Sequence, residues 1–290
     1  VEWTDSMETE SRLKAMAKRM RLKALEMAFR AGKTGAHLGG GLSSIEILAV
    51  LYGQIARLNP SDPDWEDRDR ILISKAHCVL AYYTALSEIG YIEEKELDGF
   101  EKNGSDLVGH PMKNIEKGIE YAGGSLGMAL SVAAGMAIHA KAVKSQRNIY
   151  VLLGDGECEE GSVWEAMMFA AGYKLDNLVA IVDHNQLQYD GSILEIAGFH
   201  NLAEKIRGFG WKVVETDGHD IGKLLYAFQE REPEKPMAII ADTIKGKGVS
   251  FMEGNPLWHH SELKDDLYRQ AVEEVQQGES FHAGNQQAKQ

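Results

Sequence analysis

Apolar positions in the first part of the chain recur at helical spacing. Residues 16–31 predict one amphipathic helix, and residues 42–54 predict a second, which begins at Ser43 or Ser44. The apolar stripe of the second helix comprises Ile45, Leu48, Ala49 and Tyr52. A turn-rich, proline-containing connector comes after it.

Short apolar runs then alternate with helical segments. The predicted strands are residues 70–74, 149–153, 178–183, 212–215 and 237–243. Predicted helices cover residues 162–173 and 202–208, and another begins at Ile221. Strand and helix in alternation are typical of a parallel sheet with helices on both faces, so we predict an α/β fold of that kind.

The sequence predicts one domain over residues 1–270 and a polar, flexible tail over 271–290, where apolar periodicity fades. Residues 122–140 carry no charge, but they are rich in Gly, Ala and Ser. We therefore predict a buried helix there rather than a membrane span.

Composition narrows the class of function. The 290 residues are 44% hydrophobic and 26% charged, and 31 basic against 44 acidic side chains give a net charge of −13. This charge disfavours nucleic acid and anionic membranes as partners. Two cysteines and an N-terminus without an export pattern lead us to expect a reducing, cytoplasmic location.

One strand-to-helix turn carries the chemistry. The predicted strand 149–153 runs into Gly154-Asp155-Gly156, and the next strand ends just before Asn185. Ligands of parallel sheets bind outside the carboxyl ends of the strands, so both polar side chains should face one crevice. With the backbone of Leu187 they offer three hard oxygens, which suits Mg²⁺ bound to a diphosphate.

Two other interpretations of this turn compete. One is a tight turn with a capping Asp and an unrelated Asn, and the other is a nicotinamide-binding loop. The second is disfavoured because residues 157–160, Glu-Cys-Glu-Glu, lack the later glycine of that fingerprint and would repel a pyrophosphate if they pointed at it.

The segment from Gly154-Asp155-Gly156-Glu157 to Asn185-Gln186-Leu187-Gln188-Tyr189-Asp190-Gly191 resembles the thiamine diphosphate motif of transketolases. Further segments match that family in order over roughly residues 15 to 270. They are Ser43-Ser44 to Tyr52, Asp67-Arg68-Asp69-Arg70 to His77, Gly109-His110-Pro111, Gly124-Ser125-Leu126-Gly127, Trp164-Glu165-Ala166, Asp217-Gly218-His219-Asp220, Lys245-Gly246-Lys247-Gly248 and Trp258-His259. The resemblance implies the thiamine diphosphate-binding fold, with thiamine diphosphate and Mg²⁺ as cofactors and Ca²⁺ or Mn²⁺ as substitutes for Mg²⁺.

The resemblance also implies roles for individual residues. His37 and His259 would line the substrate channel, and His110 would lie near the reactive carbon of the cofactor. Asp183 would orient the cofactor or a neighbouring histidine, and Glu160 resembles the family's subunit-interface acid. The implied cofactor-binding residues are His77, Gly124, Ser125, Leu126, Gly154, Asp155, Gly156, Glu160, Asp183, Asn185, Lys245 and His259, with Asp155, Asn185 and Leu187 on the metal.

The chain departs from the family pattern near two histidines. Ala36-His37-Leu38-Gly39 stands where the family has Gly-His-Pro-Gly, and Ala76 replaces the usual glycine before His77. The remaining histidines are assigned to structure or solvent: His139, His184, His200, His219, His260 and His282.

Transketolases activate the thiazolium ring with a glutamate on a second, pyrimidine-binding domain, and that domain also recognises the sugar phosphate. The chain ends before such a domain, so the resemblance predicts the N-terminal subunit of a split transketolase. A pyrimidine-binding C-terminal subunit would complete it as a heterotetramer with two copies of each chain. The reaction implied is ketol transfer from a ketose to an aldose, in carbohydrate metabolism of the pentose phosphate type.

Two alternatives to ketol transfer stay open. One is a component of another thiamine-dependent enzyme, such as a decarboxylase or synthase, and the other is a non-catalytic cofactor-binding paralogue. The ketose, the aldose, and whether the sugar carries phosphate, sulfonate or neither are not specified by this half.

Overall fold

A computed structural model describes residues 6–198 and 200–278. Within them, five strands form one parallel sheet in the order β1-β2-β3-β5-β4. The strands are β1 Arg70–Ile73, β2 Ile149–Gly154, β3 Leu178–His184, β4 Lys212–Asp217 and β5 Met237–Asp242. All neighbours pair in parallel, which confirms the predicted sheet.

Helices cover both faces of this sheet. They are α1 Ser6–Ala31, α2 Leu38–Ser43, α3 Ile45–Val50, α4 Val79–Glu88, α5 Ala129–Ala142, α6 Gly161–Gly172, α7 Ile193–Ala197, α8 Leu202–Gly208, α9 Ile221–Ala227 and α10 Asp265–Gln277. Side chains of β2 alternate between two cores: Tyr150 and Leu152 pack with residues of α1, α3 and α4, while Val151 and Leu153 pack with α5 and α6. Burial on both faces explains why the central strands are apolar throughout.

The predicted helix 42–54 is wrong in its start and its continuity. The chain is already helical at Leu38, breaks at Ser44 and ends in a π-helical turn over Leu51–Ile55. The hydroxyls of Ser43 and Ser44 do not cap a helix: they lie 3.1 and 3.0 Å from the Gly40 carbonyl oxygen and donate to the nearer Asp183 carboxylate. The whole of α3 is buried rather than one stripe.

The predicted buried helix over 122–140 is also corrected. Helix α5 begins only at Ala129, and residues 122–128 form a loop. Ala133 and Ala137 are buried, whereas Val132 and Gly135 lie on an exposed face. No helix among residues 6–198 and 200–278 is both long and apolar enough to cross a membrane.

The boundary predicted at residue 271 falls inside helix α10. Ala271 is fully buried and Val275 nearly so, because both belong to the apolar side of an otherwise polar helix. The folded part therefore extends to Gln277 at least, and residues 279–290 of the predicted tail lie outside the described residues.

Candidate active site

The ends of β2 and β3 bring the predicted metal ligands to one edge of the sheet. Gly154 pairs with Asp183 in the parallel register, so Asp155 and Asn185 come next at the same level. The Asp155 carboxylate accepts from the Gly156 N–H at 2.8 Å and from the Gln186 N–H, which ties the two strand ends together. The Asn185 side-chain oxygen accepts from the Leu187 N–H at 3.1 Å. These bonds fix both side chains before any ligand binds.

The same edge offers oxygens suited to a hard cation. The carbonyl of Leu187 already accepts from the Lys245 ammonium at 2.9 Å, so it faces positive charge. Among the described residues, no group of three or more His, Cys, Asp or Glu side chains could hold a metal. A site of one carboxylate, one amide oxygen and one carbonyl suits Mg²⁺ completed by phosphate oxygens and water.

A buried ion pair lies directly beneath this edge. Lys75 and Asp183 are 2% and 0% exposed, and their side chains pair. Ser43 and Ser44 donate to the same Asp183 oxygen at 2.6 and 2.8 Å, and Thr243 donates to the other. The Lys75 charge and these hydroxyls outweigh burial and hold the pKa of Asp183 far below its usual range.

Asp183 is fully buried, and the expectation that it orients the cofactor or a neighbouring histidine stays a prediction. It accepts from the Asn185 amide at 3.3 Å, so it orients a predicted metal ligand. Lys75 was missed in the sequence, although a lysine directly after an apolar strand was the available signal.

Glu157 points into the protein rather than toward a bound diphosphate. Its carboxylate accepts from the Gly127 N–H at 2.7 Å and the Gly154 N–H at 3.0 Å, and also from Ser74. Burial raises the pKa of Glu157. The residue fastens the predicted cofactor loop, Gly124-Ser125-Leu126, which is itself exposed. The supposed repulsion of a pyrophosphate by Glu157 therefore does not arise.

Glu160 lies beyond this loop on the surface. It is exposed, and a Cβ at Gly127 would come within 2.7 Å of the Glu160 Cβ, so glycine permits the close approach. The φ of Gly127 is 79°, a left-handed value that glycine adopts more readily than any other residue. An exposed acid at this place agrees with the expected interface role and does not test it.

Three of the predicted histidines lie around the fourth, His37. The ring centroid of His37 lies 5.6 Å from that of His77, 5.4 Å from His110 and 5.6 Å from His259. His77 and His259 stack at 5.0 Å. The Lys245 ammonium lies 3.0 Å from Nδ1 of His259, which joins the cluster to the edge that carries the predicted metal ligands.

Three rings of the cluster, those of His37, His77 and His259, have lowered pKa values. Desolvation, reinforced by the charges of His260 and His259, lowers the pKa of His37 to about 3. Desolvation and Lys245 lower the pKa of His259 to about 4, and burial and Lys75 lower that of His77. Burial and Lys75 also lower the pKa of Lys245 to about 8. Neutral imidazoles can donate to and accept from sugar hydroxyls near pH 7.

Comparison with known proteins decides the family. Residues 13–284 match the family described as transketolase, thiamine diphosphate binding domain. The chain is 41% identical over 265 residues to a protein of Phocaeicola vulgatus named as one of the subunits of apulose-4-phosphate transketolase, covering 91% of this chain and 93% of that one. It is 40% identical to the 6-deoxy-6-sulfo-D-fructose transketolase subunit SqwG of a Clostridium species, covering 84% and 90%.

This chain belongs to the transketolase family. A solved transketolase from Campylobacter jejuni superposes with a TM-score of 0.83 at 29% identity, covering 92% of this chain and 43% of that one. The chain thus spans nearly all of the relatives named as subunits and less than half of that full transketolase. Its reaction is ketol transfer, carried out as the N-terminal subunit of a split transketolase.

The departures from the transketolase pattern are accommodated locally. Ala76 has no positive φ, so its backbone does not require glycine. Its methyl group occupies space beside Gly123, where an added Cβ would come within 2.6 Å. Leu38, in place of the usual proline, is fully buried in the core.

The histidines assigned to structure or solvent divide into three groups in this transketolase subunit. His219 lies 2.9 Å from the Glu46 carboxylate and accepts from the Ile244 N–H at 2.8 Å, and His184 lies 2.6 Å from Asp242. His139 and His200 are exposed, and His282 lies outside the described residues. His260 is exposed, and its ring lies 4.6 Å from that of His37 at the edge of the cluster.

Proposed function

We propose that Asp155, Asn185 and the Leu187 carbonyl hold Mg²⁺ and, through it, the diphosphate of thiamine diphosphate. The single observation that carries this is their convergence at the ends of β2 and β3, beside the histidine cluster. When bound, thiamine diphosphate supplies carbanion-stabilising chemistry and Mg²⁺ anchors its diphosphate. The protein contributes the placement and the surrounding charge.

Lys245 and the loop Gly124-Ser125-Leu126 would hold the cofactor from the side. The ammonium of Lys245 is fixed between the Leu187 carbonyl and His259, where it can pair with a phosphate oxygen. The loop is anchored by Glu157 through the Gly127 N–H, and its three residues are exposed. Both features suit a diphosphate, and His77 lies alongside them.

His37, His110 and His259 would act on the sugar. Imidazole rings can donate to a carbonyl oxygen and accept a hydroxyl proton, as ketol transfer requires in each direction. His110 is exposed, whereas His37 and His259 are half-buried. His110, which solvent reaches, is thus the candidate for moving a proton, and His37 and His259 are candidates for orienting the sugar.

The metal site is tested by Asp155→Ala, with Asp190→Ala as the control. Asp190 is an exposed acid of the same motif segment, with no assigned contact to the metal ligands. Calorimetric titration with thiamine diphosphate and Mg²⁺ should show affinity reduced by about 100-fold or more in Asp155→Ala, since the only carboxylate ligand is lost. Equal affinity in Asp155→Ala and Asp190→Ala contradicts the assignment.

We further propose that the partner chain covers an exposed apolar face next to the cofactor loop. Relatives named as transketolase subunits imply a second subunit. The face extends from the loop over α5 and α6. Its exposed side chains are Leu126 at 38%, Met128 at 48%, Val132 at 38%, Met168 at 62% and Phe169 at 39%. A chain that completes the open site must also lie over these neighbours, and apolar patches of this kind mark interfaces.

Two copies of each chain would then form a heterotetramer. Met168→Glu should weaken assembly with a pyrimidine-binding subunit, because it places a charge in that interface. Met7→Glu, on the exposed side of α1, is the matched control. Sedimentation should show the tetramer for Met7→Glu and smaller species for Met168→Glu, and identical profiles contradict this interface.

For the substrate we propose a ketose whose anionic group, if it has one, is bound by the partner chain. The relatives are named for a sugar phosphate and a sulfonated sugar. A cavity of about 380 Å³ beside His37 and His110 contains Glu101 but no lysine or arginine in its lining. This wall therefore suits hydroxyls.

Two free, buried cysteines, Cys78 and Cys158, support a reducing, cytoplasmic location.

A further inference from the structure

His260 lies at the opening of the substrate-side cavity. This cavity of about 380 Å³ is bounded by the loop of His37, the loop of His110 and the loop of His260. His260 is exposed, while His77 and His259 are half-buried nearer the metal-binding edge. Of the described rings, His260 contacts His37 alone. His110 and His260 are therefore the two exposed imidazoles of the cluster, and both line this cavity.

The backbone places this ring beside His37. Ala36 and Ser261 form an isolated antiparallel bridge, with N–H to carbonyl distances of 3.1 Å in both directions. The residues adjacent to that bridge are His37 and His260, so two reciprocal bonds hold the rings edge to face. Since the bridge joins segments more than 200 positions apart, it is not a by-product of local chain geometry.

Gly35 leaves room for the same ring. A Cβ at Gly35 would come within 3.0 Å of the His260 Cε1 and 3.1 Å of the Ser261 backbone. Gly35 also has a φ of 72°, which favours glycine. A larger residue at position 35 would therefore crowd the imidazole of His260.

The surroundings of the ring indicate what it binds. The cavity lining combines His37, His110 and His260 with the carboxylate of Glu101, and it includes no lysine or arginine. An anionic ligand would meet Glu101 without a compensating cation, whereas a hydroxyl can both donate to and accept from these groups. The chemistry matches the hydroxylated carbons of a sugar.

We propose that His260 is a specificity-determining residue that hydrogen-bonds a sugar hydroxyl remote from the reacting carbonyl. This inference rests on the proposed sugar binding at the histidine cluster. Among the described rings, His110 and His260 each contact His37 but not each other, so His260 meets a different carbon from the one beside His110. Long polyhydroxy substrates should therefore depend on His260, and two-carbon substrates should not.

The test compares two acceptors in the assembled enzyme with its pyrimidine-binding partner. Glycolaldehyde has two carbons, and D-ribose carries additional hydroxyls. In His260→Ala the KM for D-ribose should rise roughly 3- to 10-fold, as expected for one lost hydrogen bond, with kcat little changed. The KM for glycolaldehyde and the dissociation constant of thiamine diphosphate should stay within about 2-fold of wild type.

His260→Gln and Glu262→Ala are the matched variants. Glutamine keeps a donor and an acceptor atom, so in His260→Gln the KM for D-ribose should return most of the way to the wild-type value. Glu262 is exposed two positions further along the loop and lines a different cavity, so its loss should change neither KM.

Equal KM changes for the two acceptors, or no change in either, overturn the role of His260. Absence of ketol transfer in the assembled wild-type enzyme with either acceptor contradicts the proposed function itself. The two failures are therefore distinguishable.

Discussion

The two sides of the site are built in opposite ways. On the cofactor side, Lys75 and Asp183 are enclosed, and every oxygen of the Asp183 carboxylate is hydrogen-bonded. On the substrate side, His110 and His260 are exposed and meet their neighbours mainly through ring contacts. The enclosed side is assembled before any ligand arrives, whereas the open side is completed by substrate and partner.

This contrast indicates which residues tolerate change. A buried charge that loses its partner cannot be rescued by water, so the enclosed side should respond in folding stability. An exposed imidazole that is lost is replaced by solvent, so the open side should respond in kinetics alone. Substitutions on each side can separate these two responses.

Lys75→Met should give the largest effect. Removing Lys75 leaves the Asp183 carboxylate buried without its cation, which costs about 3–5 kcal/mol of unfolding free energy. Urea unfolding measures it. Lys95→Met, which breaks a fully exposed pair with Glu93, should leave the unfolding free energy nearly unchanged. Comparable losses of unfolding free energy in the two variants would contradict a larger contribution to stability from the buried pair than from the exposed one.

His110→Ala should lower turnover of the assembled enzyme by about 100-fold or more, since a group that moves a proton at the substrate is removed. Steady-state kinetics measures this. The unfolding temperature and the affinity for thiamine diphosphate should be unchanged, because His110 is exposed. Full turnover in this variant would remove His110 from the catalytic group.

Thr243→Val should destabilise the fold by about 1–2 kcal/mol, because it takes one hydroxyl donor from the buried Asp183 carboxylate. Thr243→Ser keeps the hydroxyl and is the control. Urea unfolding of the two variants should differ by most of that amount, and equal stabilities would mean that this bond contributes nothing.

The smallest effect concerns pH. Burial lowers the pKa of His37 to about 3 in the folded chain, whereas the unfolded chain keeps the ordinary value of 6.5. Below pH 6.5 the unfolded chain therefore binds more protons at His37 than the folded chain does. The stability that comes from burying the neutral His37 ring is fully present above about pH 6.5 and is lost as pH falls toward 3. Between pH 7 and pH 5, His37→Asn should lose less stability than wild type, by on the order of 1 kcal/mol after solvent screening. Parallel losses contradict the neutral state of His37.

Features that depend on the order of elements along the chain were predictable from the sequence. Strand-end rules placed Asp155 and Asn185 in one crevice, and the resemblance to transketolases brought His37, His77, His110 and His259 together. The contacts of Lys75 and the proximity of His260 to His37 were missed because they depend on packing between distant segments: on α2 and β3 for Lys75, and on the bridge between Ala36 and Ser261 for His260. The kink at Ser44 was missed for the same reason, since Asp183 competes for its hydroxyl.

Whether this chain works only as half of a transketolase can be decided by measuring ketol transfer in three samples, each with thiamine diphosphate and Mg²⁺ present. They are this chain alone, its pyrimidine-binding partner alone, and the equimolar mixture of the two. We expect transfer only in the mixture, and loss of that transfer when Asp155→Ala replaces the wild-type chain. Transfer by this chain alone, or an undiminished rate with Asp155→Ala, would contradict a split enzyme with its metal site at Asp155.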